Sequence, residues 1–206
     1  MFDRVHDNDR TVRDNDIEFV ELCQKGDTEA FSVLVERHQK RVLNIAYRMM
    51  GDYEDACDVA QEAFLSAYRS IKTFRRDSLF STWLYRVVVN QAKNRLRQVK
   101  SRTRHERQAF DDPPESGDES HTCLIPSPES PLIEQMEKRE IMERVQECIG
   151  ALDGEYREVL VLRDIQGFSY DDIQSILKIP DGTVKSRLFR ARVALKDCLV
   201  KVFGDL

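Results

Sequence analysis

The sequence has few residues that break helices and no apolar run long enough to cross a membrane. Its 206 residues include only 8 glycines and 6 prolines, which excludes collagen-like, mucin-like and wholly disordered chains. No segment approaches the roughly 18 to 20 uncharged apolar residues that a transmembrane helix needs, and five aspartates lie within the first 16 residues. We therefore expect neither a signal peptide nor a membrane anchor.

The chain also lacks an ordered cysteine pattern. Its 5 cysteines are odd in number and scattered, without a Cys-x-x-Cys pair, so the spacing predicts neither a disulfide framework nor a zinc ribbon. His121 and Cys123 lie close together in the sequence, but two ligands do not complete a metal site. We expect no metal, no cofactor and no catalytic residue, and a reducing cytoplasm is the compartment that fits.

Basic residues do not dominate the composition. Lys and Arg total 32 against 37 Asp and Glu, a net charge of −5, which argues against a protein that coats nucleic acid indiscriminately. The acids are concentrated: residues 111–130 carry six of them and no Lys or Arg, and 111–131 hold five of the six prolines. This composition predicts a flexible acidic linker over 98–131, between a domain at 17–97 and one at 132–206. Residues 1–16 are expected to form a flexible tail.

The first domain contains a well-marked helix that begins at Asp52, a good N-cap, with Glu54 and Asp55 in its first turn. One stripe of this helix is apolar and predicts a buried face: Ala56, Val59, Ala60, Ala63, Phe64, Ala67, Tyr68 and Ile71. A second stripe is polar and carries one leucine: Asp58, Gln61, Glu62, Leu65 and Arg69. The residues alone favour a solvated surface for this second stripe.

A second helix is predicted from Ser78 to Arg97. One of its faces carries cations and amides without an acid: Arg86, Asn90, Lys93, Asn94 and Arg97. Such side chains neutralise phosphates and pair with base edges, so this face suits DNA. Around the start of this helix, cations alternate with aromatic residues: Phe74, Arg75, Arg76, Phe80, Trp83 and Tyr85. Aromatic side chains can stack on unpaired bases, although Phe80 and Trp83 are also expected to serve the hydrophobic core.

The second domain ends in a helix-turn-helix pattern. Ser169 to Asp172 resembles a capping box, a short amphipathic helix follows, and residues 178–182 break it before a new helix. The new helix has a basic first half whose exposed residues would enter the major groove: Thr183, Lys185, Ser186, Phe189 and Arg190. Taken alone, the pattern also allows an ordinary helical hairpin with a charged rim.

Four segments together resemble bacterial extracytoplasmic function (ECF) sigma factors of the sigma-E-like group. They are QKGDTEAF at 24–31, DVAQEAFLSAYRSIKTF at 58–74, STWLYRVVVNQAKNRLR at 81–97 and GTVKSRLFRAR at 182–192. The resemblance implies an all-α fold with two small helical domains joined by the linker, the second a helix-turn-helix (winged-helix-like) domain. It also implies an alternative sigma factor, a specificity subunit of RNA polymerase and not an enzyme.

The resemblance assigns a role to each surface. Asp58, Gln61 and Glu62, with Leu65 beside them, match positions that bind the clamp helices of the largest polymerase subunit. The minus-10 element is assigned to the aromatic and cationic segment and the α-helical face after it: Phe74, Arg75, Arg76, Phe80, Trp83, Tyr85, Arg86, Asn90, Lys93, Asn94 and Arg97. The minus-35 element is assigned to Lys185, Ser186, Phe189 and Arg190, with Thr183 and Arg187 on phosphates.

The resemblance further implies partners and a path for the linker. The expected partners are core RNA polymerase, including the flap of its second-largest subunit, promoter DNA and an anti-sigma factor, which could hold the cytoplasmic protein at the membrane. The 34 linker residues reach about 110 Å when extended, while promoter elements roughly 25 base pairs apart are separated by about 85 Å. The linker is therefore long enough to thread the polymerase cleft between them.

Two other functions fit parts of the sequence. A free-standing helix-turn-helix regulator would use only the second domain, and it would leave the stripe at Asp58 and the aromatic run at Trp83 without a role. A nucleic-acid enzyme is less favoured, because no carboxylate cluster stands at metal-binding spacing. One departure from the family pattern concerns the turn of the second domain, where Lys178 replaces a frequent glycine.

Overall fold

A computed structural model describes residues 16–109 and 132–204, and it confirms the all-α prediction. No β-strand occurs in these two ranges, so the described helix-turn-helix carries no β wing. None of the helices there is both long and apolar enough to span a bilayer. Residues 110–131, with His121 and Cys123, and most of the predicted tail lie outside the described residues.

The N-terminal half, residues 16–109, is a bundle of four helices around one core. The helices are α1 (16–24), α2 (Thr28–Met50), α3 (Tyr53–Ser70) and α4 (Phe80–Ala109), with a 3-10 turn at Ile71–Thr73. Asp27 caps α2 by accepting hydrogen bonds from the backbone N–H groups of Glu29 and Ala30, and Gly51 ends it in the left-handed conformation at φ 88°. The chain can therefore reverse tightly between α2 and α3.

Helix α3 begins where its sequence predicts, since the Asp52 side chain accepts a hydrogen bond from the Asp55 N–H at 2.7 Å. Its apolar stripe is the buried face, and small side chains dominate it: Ala56, Val59, Ala60, Ala63 and Ala67. Tyr68 is an exception at 43% exposure, because it lies at the edge of the stripe with its ring edge-on to Phe31. The polar stripe consequently faces away from the bundle.

Helix α4 is longer than predicted. The sequence predicts its end at Arg97, whereas the helix continues to Ala109, into the segment assigned to the linker. The added residues contain no Gly or Pro and are rich in Arg, Gln and Lys, which favour helix. A helical arm therefore replaces the first part of the predicted connector.

Asp16, assigned to the flexible tail, instead belongs to α1 and is 3% exposed. Its Oδ2 lies 2.8 Å from His38 Nε2, and its Oδ1 accepts a hydrogen bond from Arg37 Nη1 at 3.1 Å. The other ring nitrogen of His38, Nδ1, lies 3.1 Å from the Tyr85 hydroxyl. This buried polar network joins α1, α2 and α4.

The C-terminal half, residues 132–204, also consists of four helices. They are α5 (Leu132–Ala151), α6 (Gly154–Leu160), which continues into a π-helical turn at Val161–Ile165, α7 (Tyr170–Leu177) and α8 (Asp181–Phe203). The predicted capping box is confirmed, because Ser169 and Asp172 each accept a hydrogen bond from the other's backbone N–H. At the turn, Lys178 adopts the left-handed conformation at φ 58°, which glycine would adopt with less strain.

The structure also contains a disulfide that the cysteine spacing does not predict. Cys148 in α5 and Cys198 in α8 are bonded, 50 residues apart in sequence with 5.7 Å between their Cα atoms. The two positions meet only because α5 and α8 pack side by side, so a local motif could not reveal them. The expectation of no disulfide framework must therefore be corrected for this one pair.

The two halves pack directly against each other and share a continuous hydrophobic core. Arg157 of α6 reaches across, donating from Nη1 to the Met49 carbonyl oxygen at 2.6 Å and from Nη2 to the carbonyl oxygens of Gly150 and Leu152. Burial lowers the pKa of its guanidinium, although arginine stays charged at neutral pH. The chain as described is closed, with its C-terminal half resting on α2 and α4.

Candidate nucleic-acid interface

The polar stripe of α3 forms an exposed surface in the closed chain. Asp58, Gln61 and Glu62 are exposed, and Leu65, one helical turn further along α3, is 40% exposed. Arg95 of α4 pairs mainly with Asp55 at 2.6 Å and lies 3.8 Å from the Asp58 carboxylate. An exposed leucine beside exposed polar side chains suits a protein-binding surface.

The loop before α4 is held against α1 by side-chain hydrogen bonds. Gln24 of α1 donates to the carbonyl oxygens of Ile71 and Phe74, both at 3.0 Å. Arg76, in the left-handed conformation at φ 62°, donates to the Gln24 amide oxygen and to Glu21. Arg75 is exposed and leaves the loop toward solvent. The loop therefore presents cations from a fixed backbone.

The aromatic residues predicted to meet DNA divide between surface and core. Phe80 is 4% exposed and Tyr85 is 2% exposed, and the Tyr85 ring lies 5.3 Å from the ring of Phe168 in the C-terminal half. Phe74 and Trp83 are half-buried, with ring centroids 5.0 Å apart. Phe74 and Trp83 thus keep part of their rings accessible, whereas Phe80 is buried among rings of its own half and Tyr85 among rings of both halves.

The basic face of α4 is also divided. Asn90, Asn94 and Arg97 are exposed, but Arg86 donates to the Ser175 carbonyl oxygen of α7 from Nε at 3.1 Å and from Nη2 at 2.5 Å. Lys93 Nζ lies 2.8 Å from the Glu158 Oε2 atom of α6. Desolvation beneath α7 lowers the pKa of the Arg86 guanidinium. Two of the predicted DNA-contacting cations thus face protein in the closed chain.

The first half of α8 presents the predicted recognition face. Lys185, Ser186, Phe189 and Arg190 are exposed, and Phe189 is the most exposed large apolar side chain of the described residues at 70%. A hydrogen bond from Lys185 to Asp181 at 2.5 Å raises the pKa of the lysine. The Arg190 guanidinium lies near the Tyr156 hydroxyl, with its Nη1 at 3.5 Å.

Thr183 and Arg187, predicted to hold phosphates, are half-buried beside that face. Arg187 pairs with Glu155 at 2.7 Å and lies 3.6 Å from Glu158. Glu158 itself was not predicted as a functional residue. A glutamate directly before the apolar run Val159 to Leu162 could have signalled it, because a buried carboxylate needs a cationic partner.

Two family models match the chain, one in each half. The model for Sigma-70 region 2 matches residues 34–103, and the model for Sigma-70, region 4 matches residues 142–195. The chain is similar to the RNA polymerase sigma-H factor of Pseudomonas aeruginosa, at 39% identity over 91% of this chain and 95% of that protein. It is also 42% identical to the ECF RNA polymerase sigma-E factor of Escherichia coli, over 85% of this chain and 90% of the relative. The chain belongs to the ECF sigma factors.

The fold of this ECF sigma factor matches those of solved structures. CnrH in complex with the cytosolic domain of CnrY matches with a TM-score of 0.64 and 26% identity, covering 90% of this chain and 97% of CnrH. The sigma factor RpoE in complex with the anti-sigma factor NepR, from Bartonella quintana, matches in fold with a TM-score of 0.63 at 22% identity, over 84% of this chain and 98% of that one.

Membership confirms the predicted class of function. An ECF sigma factor is a transcription initiation factor without enzymatic activity, whose regions 2 and 4 bind core RNA polymerase and promoter DNA. Because region 2 lies in the N-terminal half and region 4 in the C-terminal half, the chain carries both regions. The free-standing helix-turn-helix regulator, which needs only the second, is therefore set aside.

Proposed function

We propose that this ECF sigma factor directs core polymerase to its promoters through three separate surfaces. The stripe of α3 around Leu65 binds the clamp helices of the largest subunit. The loop before α4, with the face of α4 that follows it, reads the minus-10 element, and the first half of α8 reads the minus-35 element. One observation carries the proposal. Leu65 is exposed on the acid-bearing stripe of α3, and Phe189 is exposed on the basic first half of α8.

The assignment of the α3 stripe to polymerase is supported by its chemistry. Its acids would oppose nucleic acid, so a DNA contact there is disfavoured, whereas an exposed leucine and Tyr68 nearby suit a protein partner. The opposite stripe of α3 supplies the core, so this stripe remains on the surface of the described bundle. A protein surface with matching cations is the partner that this arrangement fits.

The minus-10 assignment is supported by a cluster of exposed groups that can bind a single strand. Asn90 and Asn94 can pair with base edges, and Arg75 and Arg97 can neutralise phosphates. The half-buried ring of Trp83 lies close enough to the loop for a base to stack nearby. Phe80 and Tyr85 would support this surface from within the core in the closed chain.

A contact between region 4 and the flap of the second-largest subunit is supported by a cleft between α5 and α8. Its lining residues combine apolar and charged side chains: Glu140, Ile141, Arg144, Lys201, Val202 and Phe203. Ile141 is 50% exposed and Phe203 is 38% exposed, so the cleft offers apolar area away from the DNA-reading half of α8. Region 4 could thus bind polymerase and promoter at once.

Run-off transcription tests the minus-35 assignment. Added to bacterial core enzyme, the wild-type chain should support transcription from a cognate promoter, and Arg190→Ala should weaken use of that promoter by about 1 to 3 kcal/mol because a base contact is lost. Lys196→Ala, which removes the same charge from an exposed position further along α8, is the matched control. Equal activity of Arg190→Ala and wild type would place the DNA contact elsewhere.

We also propose control by an anti-sigma factor that holds the protein at the membrane. The likeness to CnrH, which was solved with the cytosolic domain of CnrY, supports such a partner. Affinity purification of the tagged chain from detergent-solubilised membranes of its native cell should recover a membrane protein together with the chain. Recovery of polymerase subunits alone, with none of the chain in the membrane fraction, would contradict this part of the proposal.

A further inference from the structure

The two halves of α8 differ in how they are held. Three buried apolar side chains anchor the first half: Val184, Leu188 and Ala191. In the second half, residues 192–203, no side chain is buried. Leu195 packs partly against the core, but Val202 and Phe203 at the end of the helix are 40% and 38% exposed. The predicted DNA-reading half of α8 is therefore firmly packed, whereas its second half is not.

The Cys148 to Cys198 disulfide fastens this second half to α5. Cys148 is 1% exposed and Cys198 is half-buried, with 5.7 Å between their Cα atoms. Helix α5 is itself held at this level, because Ile149 is buried and the Gln146 amide oxygen accepts a hydrogen bond from Arg48 of α2 at 2.9 Å. The bond therefore joins a loosely packed helix end to a firmly held helix.

The cleft between α5 and α8 begins one helical turn beyond the bond. Arg144 comes four residues before Cys148, and Lys201 and Val202 come three and four residues after Cys198. Residues at this spacing lie on the same face of a helix. The α8 wall of the cleft consequently belongs to the segment that the disulfide fastens, so the bond fixes the shape of the cleft.

The setting in which a sigma factor works makes such a bond reversible. Core RNA polymerase and promoter DNA, which regions 2 and 4 bind, occupy the reducing interior of the cell, where protein disulfides are usually transient or sense oxidising conditions. A small-molecule disulfide, such as oxidised glutathione, can supply the oxidant. The two cysteine thiols are then oxidised and the small disulfide is reduced to two thiols.

The burial of the two cysteines gives the order of this exchange. The sulfur of half-buried Cys198 attacks the small disulfide, forms a mixed disulfide and expels the first small thiolate. The sulfur of buried Cys148 then attacks the Cys198 sulfur, forms the Cys148 to Cys198 bond and expels the second small thiolate. The two protons lost by the cysteines are taken up by the two thiolates released, and a reducing thiol reverses both steps.

We propose that Cys148 and Cys198 form a redox switch that sets the affinity of region 4 for the flap of the second-largest polymerase subunit. The oxidised chain presents the cleft already formed. The reduced chain must order the end of α8 as it binds, which lowers its affinity. The first half of α8 keeps its buried anchors in both forms, so DNA reading is not switched. The proposal rests on the assignment of the cleft to the flap.

The test compares two forms of the full chain, one treated with oxidised glutathione and one with dithiothreitol, each desalted before use. Peptide mapping verifies the Cys148 to Cys198 crosslink. Hydrogen-deuterium exchange with mass spectrometry measures the order of residues 199–203, and biolayer interferometry measures binding to immobilised core RNA polymerase. Oxidation should slow exchange in 199–203, leave exchange in 183–190 unchanged and tighten polymerase binding about tenfold, the equivalent of one side chain that no longer has to be ordered.

Cysteine variants show whether this pair causes the difference. Cys198→Ser should behave as the reduced wild type under both treatments. Cys57→Ser removes another half-buried cysteine, one outside the disulfide, and should keep the full difference between treatments. A difference that persists in Cys198→Ser, or that disappears in Cys57→Ser, would overturn the proposal, as would failure of oxidised glutathione to form the crosslink. The reduced wild type carries no substitution, so poor folding of a variant cannot account for the result.

Ile141→Lys separates the switch from the flap assignment. Ile141 lines the cleft from α5 and is 50% exposed, and its replacement leaves both cysteines in place. If the cleft binds the flap, Ile141→Lys should weaken polymerase binding by the oxidised chain. Wild-type binding by Ile141→Lys would refute the flap assignment even where oxidation still tightens polymerase binding. Weakened binding by Ile141→Lys, together with equal affinities of the oxidised and reduced wild type, would retain the cleft and overturn the switch.

Discussion

Asp16→Ala should lower the free energy of unfolding by about 1 to 3 kcal/mol, since it leaves the buried ring of His38 without its hydrogen-bond acceptor. The carboxylate accepts from Arg37 and contacts His38 Nε2, and both Asp16 and His38 are almost fully buried. Without it, the imidazole N–H loses its acceptor, while its other nitrogen remains at the Tyr85 hydroxyl. Urea denaturation followed by far-ultraviolet circular dichroism measures the loss.

Two further variants separate this network from a general effect of α1. Glu18→Ala removes an acid from an exposed position of the same helix and should change stability by less than about 0.5 kcal/mol. Asp16→Asn retains one acceptor oxygen and should fall between wild type and Asp16→Ala. If Asp16→Ala were as stable as Glu18→Ala, α1 would not be anchored by this network.

Asp58→Lys should weaken binding to core polymerase by about 100-fold, or roughly 3 kcal/mol, because it reverses a charge at a protein-binding surface. Asp58 is exposed, and its nearest cation, Arg95, is held mainly by Asp55, so the substitution should not unfold the bundle. Competition with a labelled wild-type chain for a limiting amount of core enzyme measures the effect. The milder Asp58→Ala should show the same direction with a smaller change.

Glu36→Lys provides the matched control for this charge reversal. Glu36 is exposed on α2, and its replacement changes the net charge of the chain by the same amount. A long-range electrostatic effect would weaken polymerase binding equally in both variants, whereas a direct contact would affect only Asp58→Lys. Equal competition by both variants and wild type would remove the α3 stripe from the polymerase interface.

Local signals made much of the fold predictable. Asp52 caps α3 and Ser169 caps α7, each by accepting a hydrogen bond from the backbone N–H three residues further on. Such caps are predictable because both partners are close in the sequence. The buried stripe of α8 follows from spacing alone, with Val184 and Leu188 at its centre. The polar stripe of α3 and the predicted recognition face of α8 are exposed for the same reason: each lies opposite a periodic apolar face.

The closed arrangement could not be predicted in this way. Arg157 and Met49 are 108 residues apart in sequence, and neither residue carries a local signal of the contact. The same is true of Phe168 over Tyr85 and of the Cys148 to Cys198 bond. Periodicity shows that Arg86 and Lys93 share a polar face with Asn90, but only the packing of the halves decides that the cations are covered and the amide is exposed.

The extension of α4 to Ala109 changes the distance that the connector can bridge. The 12 residues 98–109 rise by about 18 Å as helix, where an extended chain of that length would reach about 40 Å. With the 22 residues 110–131 at full stretch, the maximum reach falls from about 110 Å to about 93 Å. Promoter elements about 85 Å apart would therefore require almost the full reach of the connector. Because the helical arm shortens the connector, the chain would accept promoters with a shorter spacer between the two elements and reject promoters with a longer one.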